Sequence, residues 1–313
     1  MEERVHVVAV INYKGGVGKT SLTANLGAQL AWEGHRVLMI DLDPQSSLTF
    51  SFLTPDVWEK EFAPKKTIKG WFDSFDYGKV PSLEPLIFVP KRASEILHGR
   101  GQLDLISSHL GLINVDLELA TKLSGASLAQ SKRNFIDVHS RLALGLGLIA
   151  HRDYDVVLID CPPNFNIVTK TAIIASNYLL VPARPDYLST LGIDYLIRSV
   201  DSLIKDYNDY ADVKDGSTSV KIDPKVLGVV FTMIQEYGGG PMAAHKQYMA
   251  QVRRMDGVSV FEQYIKRNDT LFASAPQYSV PVVLHGYTSD SHRSVVSGLE
   301  DVTAEFKKAL KLS

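Results

Sequence analysis

The sequence predicts an α/β fold in which a doubly wound, mainly parallel sheet carries helices on both faces. Three observations lead to this prediction. Short, continuous apolar runs, such as VHVVAVI at 5–11, have the length and composition of strands that are buried on both sides. Stretches of helical periodicity lie between these runs, the first at 20–33. A glycine-rich loop joins the first predicted strand to the first predicted helix.

Four more apolar runs continue the strand pattern along the chain. They are HRVLMID (35–41), YDVVLID (154–160), NYLLVPA (177–183) and KVLGVVFT (225–232). Polar side chains stand where several of these runs end, among them Asp41, Asp43 and Asp160. Because ligands of parallel α/β sheets gather at the carboxyl ends of the strands, we expect the functional site there.

Composition narrows the class of protein. The chain has 313 residues, 45% of them hydrophobic, which is enough for one large α/β domain or for two. A formal net charge of −2 argues against a wholly basic nucleic-acid binder but allows a local basic patch. The one cysteine, Cys161, excludes an intramolecular disulfide and suits a reducing cytoplasm, where we expect it to pack rather than react. We expect neither a secretion signal nor a membrane span.

The glycine-rich loop reads KGGVGKT at 14–20. Its end fits the common phosphate-loop pattern, but Tyr13 stands where that pattern has its first glycine. Glycines let backbone N–H groups turn toward phosphate oxygens, and the following helix points its positive end at the same anion. Lys19 would bridge the β- and γ-phosphates, and the Thr20 hydroxyl would ligate Mg²⁺. The alternative is a solvated glycine turn.

The loop KGGVGKT resembles the deviant Walker A motif of the ParA/MinD family of ATPases, which implies a P-loop NTPase fold. In that family a first lysine, which matches Lys14 here, reaches across a dimer interface to the nucleotide of the other subunit. The resemblance therefore implies an ATP-dependent homodimer and a reason for a second lysine in the loop. The alternative for Lys14 is a solvated turn residue.

Two further stretches are similar to the same family. RVLMIDLDPQSSLT at 36–49 matches its switch I pattern D-x-D-P-Q, which implies that Asp43 positions the attacking water and that Asp41 supports the metal shell. YDVVLIDCPPNF at 154–165 matches its Walker B stretch, which implies that Asp160 holds Mg²⁺. Taken alone, either aspartate of switch I is equally typical of a helix cap or a turn.

The resemblance implies three sets of site residues. The catalytic residues are Lys14, Lys19 and Asp43. The Mg²⁺ ligands are Thr20, Asp43 and Asp160. The ATP-binding residues are Lys14, Gly15, Gly16, Val17, Gly18, Lys19, Thr20, Ser21 and Met233. Met233 falls where the family has a residue near adenine, although a core methionine is nearly as plausible.

The resemblance covers about 5–53 and 103–311, so we predict one ParA-like domain over 1–313 with an irregular insertion at about 54–102. Ser274 departs from the family, which usually has an acidic residue there. Near the C-terminus, helical spacing forms one apolar stripe: Val295, Leu299, Val302, Phe306 and Leu310. We favour a helix docked on the domain over a membrane-surface anchor, because the stripe starts too far inside the domain for a free tail.

Basic residues gather at 245–267, among them Arg253, Arg254, Lys266 and Arg267. Such a run is often only a solvated face, but the resemblance to ParA proteins implies contacts with DNA phosphates. It further implies nonspecific DNA binding by the ATP dimer, a ParB-like adaptor that stimulates slow hydrolysis, and a cytoplasmic, nucleoid-associated location without stable membrane association. A MinD-like positioning ATPase on membranes is the first alternative. An ATP-dependent metabolic enzyme of the same fold is the second.

Overall fold

The computed structural model describes residues 5–149, 154–211 and 220–312. Its strands are β1 (His6–Val10), β2 (Arg36–Asp41), β3 (Ile87–Phe88), β4 (Gln102–Ile106), β5 (Val156–Asp160), β6 (Tyr178–Ala183), β7 (Lys225–Phe231), β8 (Glu236–Tyr237) and β9 (Gly240–Pro241). The first seven form one sheet in the order β3-β4-β2-β5-β1-β6-β7, and β8 and β9 form a small hairpin. Only β3 and β4 pair antiparallel within the large sheet. The predicted fold class is confirmed.

The sheet is covered on both faces by helices. They are α1 (Lys19–Trp32), α2 (Ser47–Phe50), α3 (Pro55–Glu61), α4 (Ile68–Asp73), α5 (Lys91–Leu97), α6 (Leu112–Lys122), α7 (Leu128–His139), α8 (Arg141–Gly147), α9 (Ile167–Ala175), α10 (Tyr187–Ala211), α11 (Ala243–Arg253), α12 (Asp269–Ser274) and α13 (Asp290–Leu310). Alternate residues of β1 face opposite sides, with Ala9 in one apolar cluster and Val8 and Val10 in the other. Both faces of the central strand β1 are thus buried, which explains its unbroken apolar run.

The five strands predicted from apolar runs are present, each with ends within two residues of the prediction. The edge strand β3 and its neighbour β4 escaped prediction. In β4, the buried Asp104 interrupts the apolar run and accepts a hydrogen bond from the side chain of Gln102 at 2.7 Å. A strand with polar residues at alternate positions lacks the continuous signal of its neighbours.

The segment 54–102, which we expected to be irregular, contains α3, α4, α5 and β3. These elements have two to seven residues, too few to show a period in a sequence. The segment is anchored on α8. The Trp71 ring lies where a Cβ on Gly145 would come within 2.7 Å, and the buried Arg141 guanidinium stacks over that ring at 4.7 Å. Arg141 also donates to the Lys79 carbonyl at 3.0 Å.

Helix α13 packs on the domain through the apolar stripe identified in the sequence. Its five residues, Val295, Leu299, Val302, Phe306 and Leu310, are all buried in the cluster that also holds the apolar residues of α1. Its Lys307 forms an ion pair with Glu33, next to the end of α1, at 2.9 Å. The stripe is therefore occupied by the domain itself. Within the described ranges, no helix has the length and apolar character needed to cross a membrane.

Candidate nucleotide-binding site

Three central strands end side by side at one edge of the sheet. The register pairs Val10 with Asp160 and Asp41 with Asp160, so the two aspartates lie on adjacent parallel strands. The glycine-rich loop follows β1 at the same edge and leads directly into α1. The site residues predicted from the sequence lie at strand ends, and the order of strands in the sheet brings those ends together.

The loop has the backbone conformation that its glycines allow. Gly16 has φ 67° and Gly18 has φ 80°, a left-handed region that residues with a Cβ rarely adopt. Gly18 is also the residue that precedes α1, so the loop turns into the helix N-terminus. The hydroxyl of Thr232 donates to the Val17 carbonyl at 2.7 Å and ties the loop to the end of β7. The result is a turn whose N–H groups and helix dipole favour an anion.

Lys19 lies beneath this loop. Its Nζ donates to the carbonyl oxygens of Asn12 at 3.1 Å and Lys14 at 3.2 Å, and the residue is only 6% exposed. Burial lowers the pKa of Lys19, whereas the nearby carboxylates of Asp160 and Asp43 raise it. A cation held so close to the loop is placed to meet phosphate oxygens that the loop would bind.

Lys14 points away from Lys19. Its Nζ donates to both carboxylate oxygens of Asp186 at 2.8 Å and to the Ser189 hydroxyl at 3.1 Å. Asp186 directly precedes α10 and also lies 3.6 Å from the Arg184 guanidinium. Partial burial raises the pKa of Asp186, but the hydrogen bonds from Lys14 and Ser189 outweigh burial and hold that pKa below its usual value. The two lysines of the loop thus bind different groups: Lys19 binds backbone carbonyl oxygens, and Lys14 binds the side chains of Asp186 and Ser189.

Asp41 and Asp160 are fully buried carboxyls at adjacent strand ends. Asp160 accepts hydrogen bonds from the hydroxyls of Thr20 at 2.7 Å and Thr23 at 3.3 Å. Burial raises the pKa of Asp160 to about 7, partly offset by the Thr20 hydrogen bond. Burial and then the proximity of Asp160 raise the pKa of Asp41 well above its usual range. Two buried acids this close favour a cation between them and the loop.

Asp43 is positioned by its backbone. Its amide donates to the Asp41 carboxylate at 3.1 Å, and its own carboxylate accepts from the Gln45 amide at 2.9 Å. Asp41 also accepts from the amide and hydroxyl of Thr49, at 2.8 and 2.7 Å. Asp41, which the resemblance assigned to the metal shell, is here engaged in holding the switch I segment (36–49).

The donor set suits Mg²⁺ bound with phosphate. No group of three or more His, Cys, Asp or Glu residues in the described part of the chain could hold a metal ion alone. Mg²⁺ usually keeps several waters and takes one or two carboxylates together with substrate phosphates. The Thr20 hydroxyl hydrogen-bonded to Asp160 supplies one hydroxyl and one carboxylate, which fits that mode.

Met233 has a left-handed backbone conformation, with φ 56°, although it is not a glycine. Such strain concentrates at ligand sites. Met233 lines a small cavity of about 70 Å³ beside the loop. The other lining residues are Gly18, Ser21, Thr232, Ile265, Lys266, Arg267, Asn268, Asp269 and Phe272. Gly18 of the loop and Ser21 in the first turn of α1 are among its lining residues, so the cavity adjoins both.

The four basic residues proposed for DNA differ in their surroundings. Arg253 pairs with Glu262 at 3.1 Å, Lys266 with Glu236 at 2.8 Å, and Arg267 with Asp269. Lys266 and Arg267 also line the cavity beside Met233. Arg254, exposed at the end of α11, has no carboxylate partner among the described residues. Of the four, Arg254 is thus the one whose charge no described carboxylate offsets.

Sequence reasoning missed the partners of the motif residues. Asp186, Thr23, Thr49 and Ser108 are polar residues that belong to no spaced pattern in the sequence. Asp186 follows the end of β6, as Asp43 follows the end of β2. This position after a strand was the signal in the sequence that could have marked Asp186 as a site residue.

Fold and site together define a P-loop nucleotide-binding domain of the doubly wound type. A family model described as an AAA domain, AAA_31, matches residues 5–213. The chain belongs to this family, and its relatives place it in the ParA/MinD family of deviant Walker A ATPases.

Similar sequences and structures agree with this placement. The chain is 27% identical to sporulation initiation inhibitor protein Soj of Bacillus subtilis over 279 residues, covering 89% of this chain and 90% of Soj. It is 27% identical to chromosome partitioning protein ParA of Caulobacter vibrioides over 281 residues, covering 90% and 87% of the two chains.

Two similar solved structures contain a nucleotide. An ATP complex of a Cyanothece McdA variant has a TM-score of 0.68 at 19% identity, covering 99% of this chain and 97% of that one. Cobyrinic acid a,c-diamide synthase from Mycobacterium smegmatis, with an ATP analogue and magnesium, has a TM-score of 0.69 at 21% identity and coverages of 99% and 96%. At these identities the likeness shows the fold. ATP and Mg²⁺ are also the cofactors predicted from the sequence.

Proposed function

We propose that this chain acts as a ParA-like partitioning ATPase, working as one domain over 1–313. Two subunits close face to face over two ATP molecules, and the homodimer binds DNA without sequence preference. A ParB-like adaptor stimulates slow hydrolysis and so releases the subunits, which segregates a plasmid or chromosome or positions another cargo. Similarity to Soj and ParA along about 90% of the chain supports this proposal.

The observation that carries the proposal is the divergence of the two loop lysines. Lys19 lies under its own loop, whereas Lys14 reaches out to Asp186 at the start of α10. One cation suffices for the phosphates in the loop. A second cation that points elsewhere is available for the nucleotide of a partner subunit, where charge develops during phosphoryl transfer.

Each motif residue has a task in this scheme. Lys19 contacts the β- and γ-phosphates from beneath the loop, and Thr20 and Asp160 hold the magnesium shell. When bound, Mg²⁺ neutralises charge on the phosphates. Asp43 contributes to that shell and orients the attacking water, at a strand end whose backbone is fixed by Asp41.

The proposed location in the cell follows from DNA as the proposed partner. A DNA-bound dimer would be cytoplasmic and nucleoid-associated. The C-terminal stripe that a membrane-positioning ATPase would use is buried in the domain, which supports DNA over a membrane as the surface bound.

Co-sedimentation tests the proposal. Full-length protein is mixed with long duplex DNA, or with anionic phosphatidylglycerol liposomes, in the presence of Mg²⁺ and either ATP or ADP. We expect pelleting with DNA and ATP only. Pelleting with liposomes instead of DNA would assign the protein to the membrane-positioning class, and no ATP-dependent pelleting with either would refute both.

A further inference from the structure

Helix α3 contacts the surroundings of the nucleotide site through Trp58. No residue of α3 is buried, and Trp58 alone is half-buried. Its indole Nε1 donates to the Ser108 carbonyl at 3.2 Å. Its ring packs edge-on against Phe50 of α2 and lies beside His109, with centroid distances of 5.5 Å in both cases. Trp58 therefore touches Phe50, the residue that follows the switch I segment, and the loop after β4.

Ser108 connects Trp58 to Asp43. Ser108 is fully buried, and its hydroxyl donates to the Asp43 carbonyl at 2.7 Å. Its amide donates to the Thr49 hydroxyl at 3.0 Å, and that hydroxyl donates to Asp41. The backbone of Asp43 is thus fixed at its amide by Asp41 and at its carbonyl by Ser108. A buried, fully connected network of this kind holds its members in one geometry.

We propose that Trp58 and Ser108 are positioning residues for hydrolysis, through which the inserted segment 54–102 holds Asp43 in place. The inference rests on the proposed function, because it assumes that Asp43 acts on the attacking water. Small displacements of such a group are costly to the reaction but not to ground-state binding.

Two substitutions test the connection. Trp58→Phe removes the indole N–H and keeps an aromatic ring, and Ser108→Ala removes the hydroxyl donated to Asp43. For each we expect the ATP turnover rate at saturating Mg·ATP to fall about fivefold, the rate equivalent of one net hydrogen bond of about 1 kcal/mol. The affinity for Mg·ATP should stay within about twofold of wild type, because Lys19 and the loop are untouched.

Trp71→Phe is the matched control. Trp71 lies in the same inserted segment and donates its indole N–H to the Pro81 carbonyl at 2.9 Å, on a side of the segment that faces α8. It should lower the melting temperature and leave the turnover rate at the wild-type value. Equal turnover in wild type, Trp58→Phe and Ser108→Ala would overturn the inference. A wild-type protein without ATP hydrolysis would instead refute the proposed function.

Tryptophan fluorescence gives an independent readout. The chain has three tryptophans. Among the described ring contacts, Trp58 lies against Phe50, next to the switch I segment, whereas Trp71 lies against Phe72 and Trp32 against Arg100. A change in emission on adding Mg²⁺ and a nonhydrolysable ATP analogue should persist in Trp71→Phe and disappear in Trp58→Phe. A change that survives in Trp58→Phe would contradict movement at this contact.

Discussion

Lys14 and Lys19 differ in what neutralises them. Lys19 is buried among carbonyl oxygens and near two carboxylates, whereas Lys14 is paired with one partly exposed carboxylate, Asp186. An ion pair of this exposure is worth about 1 kcal/mol or less, so Lys14 can leave it at little cost. Moving Lys19 would cost more, because its buried charge would lose the oxygen atoms that now accept its hydrogen bonds. In the proposed dimer, the lysine that would change partners is thus the weakly held one.

Lys19→Ala should weaken ATP binding by at least about tenfold, which corresponds to about 1.4 kcal/mol. The physical reason is that the phosphates lose the cation that lies beneath the loop. Titration of the variant with a fluorescent ATP analogue and Mg²⁺ measures this directly. Wild-type affinity would contradict the role of Lys19 in phosphate binding.

Asp186→Asn should make nucleotide-dependent dimerisation easier. The substitution keeps a polar side chain but removes the charge that holds Lys14 within its own subunit. We expect the protein concentration at half-dimerisation to fall a few-fold, the scale of one exposed ion pair. Sedimentation with a nonhydrolysable analogue measures it, and Asp194→Asn, which breaks an exposed pair with Arg198, is the control. A weaker dimer would show that Asp186 itself contacts the partner.

The motif residues could be predicted from the sequence because their spacing carries chemical meaning. Lys14, Lys19 and Thr20 stand out against glycines, and Asp43 and Asp160 end apolar runs. The residues that hold them could not be predicted. Ser108 and Asp186 become neighbours of the site only when the sheet order is known, since they lie 65 and 172 residues from their partners.

At the scale of elements, burial on both faces determines which strands can be recognised. β1, β2 and β5 lie in the middle of the sheet and read as unbroken apolar runs. β4 carries a buried aspartate, and β3 has only two residues, so neither has that signal. The helices of segment 54–102 depend on tertiary contacts such as Trp71 with α8, which local sequence does not reveal.

Helix α7 ends in a buried histidine that should make stability depend on pH. His139 stacks on Phe135 at 4.0 Å, its Nδ1 lies 2.8 Å from the Phe135 carbonyl, and its buried Nε2 has no partner among the described residues. Burial lowers the pKa of His139 to about 4. Because the folded-state pKa is below the unfolded value, the neutral ring stabilises the fold above pH 6.5 or so, and this stability is lost as pH falls.

His139→Leu should therefore reduce the difference in unfolding free energy between pH 7 and pH 5. The part due to His139 is about 2 kcal/mol over that interval. Urea denaturation of both proteins at both pH values isolates it, because the cost of the substitution itself is common to the two conditions. An unchanged pH dependence would mean that His139 is already charged, or accessible to water, in the folded protein.

At the scale of the whole molecule, nearly neutral charge and local pairing limit which surface can bind DNA. Arg254→Ala should lower the slope of log affinity against log salt by about 0.9, the value for one phosphate contact on duplex DNA. Arg253→Ala and Arg267→Ala should change it less, because Glu262 and Asp269 offset those charges.

Lys91→Ala is the control for this experiment, since the exposed Lys91 begins α5, which contacts β4 near the edge of the sheet opposite β7. DNA affinity is measured across a salt series in the presence of ATP. Affinity should fall alike for all sequences, because phosphate contacts carry no base information. A slope that Arg254→Ala leaves at the wild-type value would place the DNA surface elsewhere.

In the proposed cycle, Lys14 leaves Asp186 and completes the nucleotide site of a second subunit. Light scattering coupled to gel filtration tests it most directly, with Mg²⁺ and either a nonhydrolysable ATP analogue or ADP. For wild type we expect twice the chain mass of 34.6 kDa with the analogue and the single mass with ADP. Lys14→Ala should bind the analogue yet keep the single mass. A wild-type monomer with the analogue, or a Lys14→Ala dimer, would contradict the account.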